Sequence, residues 1–207
     1  MTAFKKYFAT TIRAKYPSEA ESLLVQLDEE FDRLLPDVRF ASTSSNPIDR
    51  RLTFCAYFLA LIKVLDKRGE SFQQVRAVSL EVVHEYVKPK NKLQHFIKKL
   101  IPKLIKFKIG KAMLRSLAGK VAAKGHPDGF AATMIFDEKE TYGFGYGVDI
   151  LECGICKLFN KHGYQKYASI LCEVDEVTSN LAGLKLIRSG TIANGASKCD
   201  FRYVPGA

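Results

Sequence analysis

Hydrophobic residues in the first quarter of the chain recur at spacings of three and four, which is the pattern of a helix with one buried face. This first stripe contains Leu23, Leu24, Leu27, Phe31, Leu34 and Leu35. Ser18 precedes the stripe and is a favoured N-cap residue, whereas Pro36 follows it and lacks a backbone N–H. The pattern therefore predicts an amphipathic helix that begins after Ser18 and ends at Pro36.

Two further apolar stripes predict two more helices in the same half of the chain. A polar loop over residues 41–47 separates the first helix from the second, which is expected to begin near residues 46–49 and to stop before Gly69. The third helix is expected over residues Phe72–Val87, and Pro89 closes it. The N-terminal half is therefore predicted to be helical.

The next segment combines an apolar helical stripe with a face of lysines. Its stripe contains Leu93, Phe96, Ile97, Leu100, Ile101, Leu104 and Ile105. Pro102 is expected to kink or split this helix, because proline clashes with the preceding turn. A second helical piece is predicted to run to about residue 123, before a break over residues 125–129.

After that break the pattern changes to short strands that alternate with helices. We expect strands over residues 130–136, 144–151, 184–188 and 201–204, and helices over residues 153–161 and 164–181. This order favours an α+β fold, in which N-terminal helices pack on a C-terminal, mostly antiparallel sheet with two further helices. The expected organisation is one domain over residues 1–207, with a helical part over 1–124 and an α+β part over 125–207.

The composition is that of an ordinary soluble globular protein. The chain has 207 residues, of which 47% are hydrophobic and 26% are charged, and no run of 18 apolar residues occurs. The first residues contain no apolar stretch typical of a secretory signal. Five cysteines are too few, and odd in number, for a disulfide framework, so we expect a reducing, cytoplasmic location.

The formal net charge of +10 is concentrated in one segment. Twelve lysines and arginines lie between Lys88 and Lys124, and no acidic residue occurs there. Three interpretations are open: contact with an anionic membrane surface, contact with nucleic-acid phosphates, or a solvated helix that packs its apolar face on the core. Aromatic residues that could stack on bases are few, which makes nucleic acid the least favoured partner. The oligomeric state is not predicted.

Gly143, Gly145 and Gly147 alternate within a predicted strand. A phosphate-binding fingerprint needs the spacing G-x-G-x-x-G between a strand and a helix, and this spacing is different. We interpret the glycines as a flat strand face against another element or a ligand.

Four of the five cysteines lie in the last 55 residues, and two of these open a predicted helix. Cys153 and Cys156 form a C-x-x-C pair directly after a strand, where a helix N-terminus would lower a thiol pKa. This pair could be a redox pair, or it could join Cys172 and Cys199 as ligands of a divalent metal such as zinc. The alternative is that some are buried small residues, as we expect for Cys55 on the second helix.

A cysteine and an aspartate on a predicted helix are further candidates for a catalytic role. Cys172 and Asp175 are three residues apart on a predicted helix, so a nucleophile and a base would share one face. His162 is the one histidine retained as a reserve proton carrier. The alternative is that Asp175 is a surface residue paired with a lysine.

The last strand separates its side chains onto two faces. Cys199, Phe201 and Tyr203 are expected on one face, and Asp200 and Arg202 on the other. Asp200 and Arg202 could pair with each other, or Arg202 could bind a substrate carboxylate.

Four blocks of the C-terminal half resemble a known family. They are residues 149–156 (DILECGIC), 171–175 (LCEVD), 186–195 (LIRSGTIANG) and 199–203 (CDFRY). Over about residues 130–204 the chain is similar to the L-2-amino-thiazoline-4-carboxylic acid hydrolase family. Cys156 is less clearly part of the pattern, and the N-terminal helices agree in size and character only.

The resemblance implies ring-opening hydrolysis of a cyclic amidine of the thiazoline type. In the reaction that gives the family its name, water adds to C2, the C–S bond opens, and N-carbamoyl-L-cysteine forms. Such a reaction needs an activated nucleophile, stabilisation of the tetrahedral adduct and a group that holds the 4-carboxylate.

The resemblance also suggests roles for particular residues. The catalytic candidates are Cys153, Cys172, Asp175 and Cys199, with Asp175 as base or amidine partner and a cysteine as nucleophile or metal ligand. Arg202 would hold the substrate carboxylate and Asp200 would orient Arg202. Water activated by a bound divalent metal is an open variant. The alternative function is a non-catalytic module that binds a small molecule or zinc.

Overall fold

The computed structural model describes residues 3–88, 108–122 and 125–206, and it has the α+β architecture that the sequence predicts. The described residues form seven α-helices, namely α1 (Lys5–Lys15), α2 (Ala20–Val38), α3 (Arg51–Lys67), α4 (Phe72–Val87), α5 (Lys108–Ala122), α6 (Gly154–Lys161) and α7 (Ala168–Leu181). They also form four strands, namely β1 (Ala131–Ile135), β2 (Gly147–Glu152), β3 (Leu184–Ile187) and β4 (Cys199–Pro205).

Helix α3 lies at the centre of the helical layer. Its segment from Cys55 to Ile62 is buried on every face, which is typical of a helix surrounded by other elements. Helices α2 and α4 pack against it, and Phe8 of α1 contacts the rings of Tyr57 and Phe58. Cys55 is buried in this core, as predicted.

The two ends of α2 differ from the prediction. Its N-cap is Glu19 rather than Ser18, and Pro36 lies inside the helix, which continues to Val38. A proline removes its own N–H and crowds the preceding turn, but residues after it keep their own hydrogen bonds, so a proline near the C-terminus need not end a helix. Helix α4 has its predicted bounds, because Ser71 and Gln74 form a capping box at its start.

Helix α3 begins at Arg51, later than predicted, because two polar side chains hold the preceding loop. Asn46 accepts a hydrogen bond from Ile48 N and donates one to Phe130 O, at 3.0 Å. Asp49 accepts a hydrogen bond from Phe130 N at 2.8 Å. Both side chains are fully buried. This buried clasp ties the start of α3 to the residue before β1.

The four strands form one antiparallel sheet in the order β1-β2-β4-β3. Strand β2 begins at Gly147 rather than at residue 144, because Gly143 and Gly145 have φ values of +71° and +100° in the preceding turn. Gly147 packs flat on β4: a Cβ there would lie 2.7 Å from Arg202 Cδ. Two of the three glycines thus shape a turn, and the third allows close approach of a side chain.

Helix α5 covers part of the sheet through contacts with β1. The predicted stripe over residues 93–105 and its Pro102 kink lie outside the described residues. Within the ranges that the structure describes, no helix is both long enough and apolar enough to cross a membrane.

Candidate functional site

A small cavity lies where the sheet, α6 and α7 meet the start of α3. Its volume is about 60 Å³, and we call it the cysteine cavity. Its lining residues are Ile48, Arg51, Phe130, Ile150, Cys153, Ile155, Cys156, Ala168, Leu171, Cys172, Asp175, Cys199 and Phe201. The structure therefore brings all four C-terminal cysteines and Asp175 to one cavity.

Local structure explains how each thiol reaches this cavity. Cys153 is the N-cap of α6 immediately after β2, and Cys156 lies within the first turn of that helix. Cys172 and Asp175 are three residues apart on α7, so they share a face as the sequence predicts. Cys199 opens β4 and pairs with Ile150 of β2.

Two arginines flank the Asp175 carboxylate. Arg51 Nη1 lies 3.6 Å from Asp175 Oδ1, and Arg188 Nη1 lies 3.9 Å from Asp175 Oδ2. Both separations exceed hydrogen-bond length, so these are longer-range ion pairs. Among the described residues no side chain or backbone group donates a hydrogen bond to the Asp175 carboxylate. Its oxygens therefore retain the capacity to accept hydrogen bonds from a ligand.

The Arg188 guanidinium is held in place by hydrogen bonds, but one of its nitrogens has no hydrogen-bond partner among the described residues. Its Nη2 donates to Cys172 O at 3.0 Å and to Glu176 Oε1 at 3.1 Å, and its plane lies over the ring of Phe201. Its Nη1 is buried and has no hydrogen-bond partner. An orphaned buried donor next to a carboxylate is costly for a protein that binds nothing there.

Burial shifts the titration of the groups in the cysteine cavity. Burial raises the pKa of Asp175, and the charges of Arg51 and Arg188 offset this only in part. Burial also raises the pKa of Cys172 to about 12. At neutral pH a resting thiolate is therefore disfavoured at Cys172.

The prediction that the helix N-terminus lowers the Cys153 pKa is wrong. The pKa of Cys153 is raised, because Cys153 is hydrogen-bonded to Cys156 and is buried. Burial likewise raises the pKa of Cys199, although Ile192 N donates a hydrogen bond to its sulfur at 3.2 Å. At Cys153 the hydrogen bond with Cys156 and desolvation together outweigh the effect of the helix terminus.

The described residues do not form the set of donors that the predicted metal site would need. Within residues 3–88, 108–122 and 125–206, no three His, Cys, Asp or Glu side chains are grouped as ligands of one ion. Cys153, Cys156, Cys172 and Cys199 surround a shared space without forming a tetrahedral set. All five cysteines are free thiols.

Asp200 and Arg202 lie on the face of β4 opposite to the cysteine cavity. Contrary to the expectation, Arg202 is therefore not placed to hold a substrate carboxylate in this cavity. Arg202 Nη1 donates to Asp149 Oδ1 at 2.8 Å, and both side chains are 9% exposed. Asp200 does not orient Arg202, because it accepts hydrogen bonds from Ser189 N and Gly190 N. Each residue thus stabilises the sheet or its loop.

His162 is also remote from the cavity. Its Nε2 lies 2.8 Å from Asp37 Oδ2, in a pair that links the end of α6 to α2. It is not placed as a proton carrier for Asp175.

A larger space adjoins the cysteine cavity and shares Ile48, Arg51, Ile150, Asp175 and Phe201 with it. Its volume is about 390 Å³, and we call it the apolar cavity. Its other lining residues are Pro47, Leu114, Leu117, Val121, Met134, Tyr146, Val148, Thr178, Ser179 and Tyr203. Arg51 and Asp175 therefore stand at the boundary between the two spaces.

Sequence reasoning missed the two arginines of the site. Arg188 lies in one of the four resembling blocks, just after β3, and that position was its available signal. Arg51 opens α3 and is 124 residues away from Asp175 along the chain, so no local pattern connects them.

Comparison with known proteins adds one finding. A family model described as L-2-amino-thiazoline-4-carboxylic acid hydrolase matches residues 50–203. No curated protein and no solved structure matches the chain. The matched region contains Arg188, the four C-terminal cysteines, and both charged residues that line the two cavities within the described part of the chain, Arg51 and Asp175.

Proposed function

The chain belongs to the L-2-amino-thiazoline-4-carboxylic acid hydrolase family, and we propose that it opens the ring of a cyclic amidine of the thiazoline type by hydrolysis. A family of this kind acts on a small molecule. The cysteine cavity and the boundary residues of the apolar cavity are the proposed reaction site.

The observation that carries this proposal is the arrangement of charges at the cavity boundary. Asp175 has a largely buried carboxylate that accepts no hydrogen bond from the described residues, and Arg188 Nη1 is an orphaned donor beside it. Arg51 completes the set on the other side of the carboxylate. A substrate with both an amidinium and a carboxylate complements this arrangement, because Asp175 can bind the amidinium while an arginine binds the carboxylate.

The reaction needs only water as a co-reactant. Water adds to C2 of the ring, the bond between C2 and sulfur breaks, and the ring nitrogen keeps its bond to C4. The product is an N-carbamoyl amino acid with a free thiol. One proton of the attacking water ends on the departing sulfur, and a second proton is released to solvent when the amidinium becomes the neutral urea group of the product. No oxidant or reductant is required.

Asp175 is the residue best placed to transfer that proton. A carboxylate whose pKa is raised by burial is a stronger base than an exposed one, and its protonated form is a suitable donor to the leaving sulfur. The neighbouring guanidinium groups stabilise negative charge on the substrate carboxylate and the tetrahedral adduct. In this scheme Asp175 is the catalytic base, Arg51 binds substrate at the cavity boundary, and Arg188 acts through its charge beside Asp175.

The cysteines have a different role in the proposed mechanism. The raised pKa values of Cys153, Cys172 and Cys199 favour neutral thiols, which line the ring-binding space with soft, weakly polar groups. A thiol could attack C2 only after losing its proton, and Cys172 shares a helix face with Asp175. We propose direct attack by water, and attack by Cys172 is the variant that the experiment must distinguish.

The test measures thiol release from L-2-amino-thiazoline-4-carboxylic acid. Asp175→Asn is expected to lower kcat/KM by about 10²- to 10⁴-fold, since it removes a general base. Glu173→Gln is the matched control, because this carboxylate on the same helix pairs with Arg76 instead of lining a cavity. Melting curves check that both variants fold.

Two outcomes would contradict the proposal. Normal turnover by Asp175→Asn would remove Asp175 from the mechanism, and tight binding without turnover by the unaltered protein would favour a non-catalytic binding module. Cys172→Ala separates the two chemical variants. Retained activity supports attack by water, whereas loss of activity together with a covalent adduct on unaltered Cys172 supports the thiol.

A further inference from the structure

The apolar cavity is much larger than the reaction proposed above requires. Its volume of about 390 Å³ lies within the usual range for sites that enclose drug-sized ligands. The thiazoline acid is a single five-membered ring with two small substituents, and it would leave most of this space filled with water. Apolar walls that face water cost free energy in proportion to their area.

Polarity in the apolar cavity is concentrated at one end. Arg51 and Asp175 lie at the boundary with the cysteine cavity. The hydroxyl groups of Thr178 and Ser179 donate to backbone carbonyls of their own helix, at 3.0 and 2.7 Å, so they offer little to a ligand. The other lining residues that the structure describes are aliphatic or aromatic, and among them only Tyr146 and Tyr203 carry a hydroxyl group.

The aromatic wall is contiguous with the proposed reaction site. The rings of Tyr146 and Tyr203 lie 5.5 Å apart, and Phe201, next on the same face of β4, lines both cavities. An apolar group attached to a ring bound at Asp175 would therefore enter the apolar cavity directly. Aromatic side chains bury large areas at a low entropic cost, which suits a flat or branched apolar group.

We propose that the substrate class is a cyclic amidine carboxylic acid that bears a large apolar or aromatic substituent, and that the apolar cavity holds this substituent. The inference rests on the proposed function for the position of the ring. It goes beyond that function because it makes the unsubstituted thiazoline acid a poor substrate and assigns specificity to residues remote from the reacting atoms.

The experiment compares two ligand pairs, each with and without a benzyl group at ring position 5. The thiazoline acids report turnover through thiol release. The corresponding 2-aminothiazole-4-carboxylic acids have an aromatic ring that is not expected to open, and they report binding by calorimetry. The unaltered protein is expected to prefer the benzyl member of each pair about tenfold or more.

Variants locate the origin of that preference. Leu117→Trp places a large ring in the apolar cavity and is expected to abolish the preference, as is Met134→Phe on strand β1. Met113→Trp is the matched control, because Met113 is 69% exposed on the same helix as Leu117 and lines neither cavity. It is expected to keep the preference and the basal activity.

The two ligand pairs separate failure of the inference from failure of the proposed function. Equal binding of the two thiazoles, or a preference that survives both filling variants, would overturn the inference even if both thiazolines are opened. Absence of thiol release from both thiazolines would contradict the proposed reaction. A benzyl preference in thiazole binding that Leu117→Trp abolishes would still support the apolar cavity as a ligand site.

Discussion

Arg51 Nη1 and Asp175 Oδ1 are 3.6 Å apart, close enough for strong attraction and too far apart for a hydrogen bond. The Arg51 side chain is 63% exposed, whereas that of Asp175 is 21% exposed. The pair therefore joins a solvent-accessible cation to a largely buried base. A ligand that enters between the two groups can satisfy both of them without first breaking a tight ion pair.

Replacing Arg51 should weaken the binding of substrate carboxylate. Arg51→Gln is expected to raise KM about tenfold with a smaller effect on kcat, because the exposed guanidinium contributes mainly to binding. The effect should be much smaller for the 4-carboxamide analogue, which has no charge to lose. Arg50→Gln is the control, since Arg50 is exposed and lines neither cavity. Equal effects of the two variants on KM would contradict the assignment.

The pH profile should show a base whose pKa is higher than that of an ordinary aspartate. Burial raises the Asp175 pKa above 3.8, so kcat/KM is expected to fall as the pH decreases through that raised value. The charge of Arg51 lowers the pKa of Asp175, so Arg51→Gln should shift the acidic limb to higher pH. The measurement is kcat/KM from pH 4 to pH 8. A limb that does not move in the variant would show that another group titrates.

The cavity thiols should react slowly in the folded protein. Burial raises the pKa of Cys172 to about 12, and the pKa values of Cys153 and Cys199 are also raised, so the thiolate that reacts with iodoacetamide is scarce. At pH 7.5 we expect alkylation of these cysteines to be at least about 100-fold slower than in urea. Mass spectrometry of quenched samples measures each site. Rapid alkylation of Cys172 in native protein would favour a thiolate nucleophile.

Gly147 should tolerate no larger residue. An added Cβ would meet Arg202 Cδ at 2.7 Å and the Phe201 carbonyl oxygen at 2.8 Å, so the strands or the buried Arg202–Asp149 pair must shift. Gly147→Ala is expected to reduce the free energy of unfolding by about 2 kcal/mol or more.

Gly119→Ala provides the contrast for this prediction. Gly119 lies within α5, and an added Cβ meets nothing within 4 Å, so alanine should stabilise the protein by about 0.5–1 kcal/mol. Urea denaturation measures both variants. A neutral result for Gly147→Ala would show that Arg202 moves aside at little cost.

Local rules predicted much of the helical layer and part of the site. The bounds of α4 follow from its apolar stripe and the proline after it, and the shared face of Cys172 and Asp175 follows from helical spacing. The alternation of β4 also correctly placed Cys199 and Phe201 on the face opposite to Arg202.

The features that the sequence did not predict depend on contacts between residues that are far apart along the chain. Arg202 pairs with Asp149 because β2 and β4 align residues 149 and 200, a register that no local pattern specifies. Arg51 reaches Asp175 through packing of α3 on the C-terminal part. The cysteine pKa values depend on burial from several elements, so a rule based on one helix terminus predicted the wrong direction.

The buried clasp of Asn46 and Asp49 on Phe130 fixes the start of α3, where Arg51 lies, against the C-terminal part. The helical half therefore supplies a charged group to the site as well as supporting it. A fragment that starts at residue 125 would keep every cavity cysteine and the aspartate, yet it would lose one of the two guanidiniums. Any lineage that shortened this protein to its cysteine-bearing end would have to find a new cation for that place.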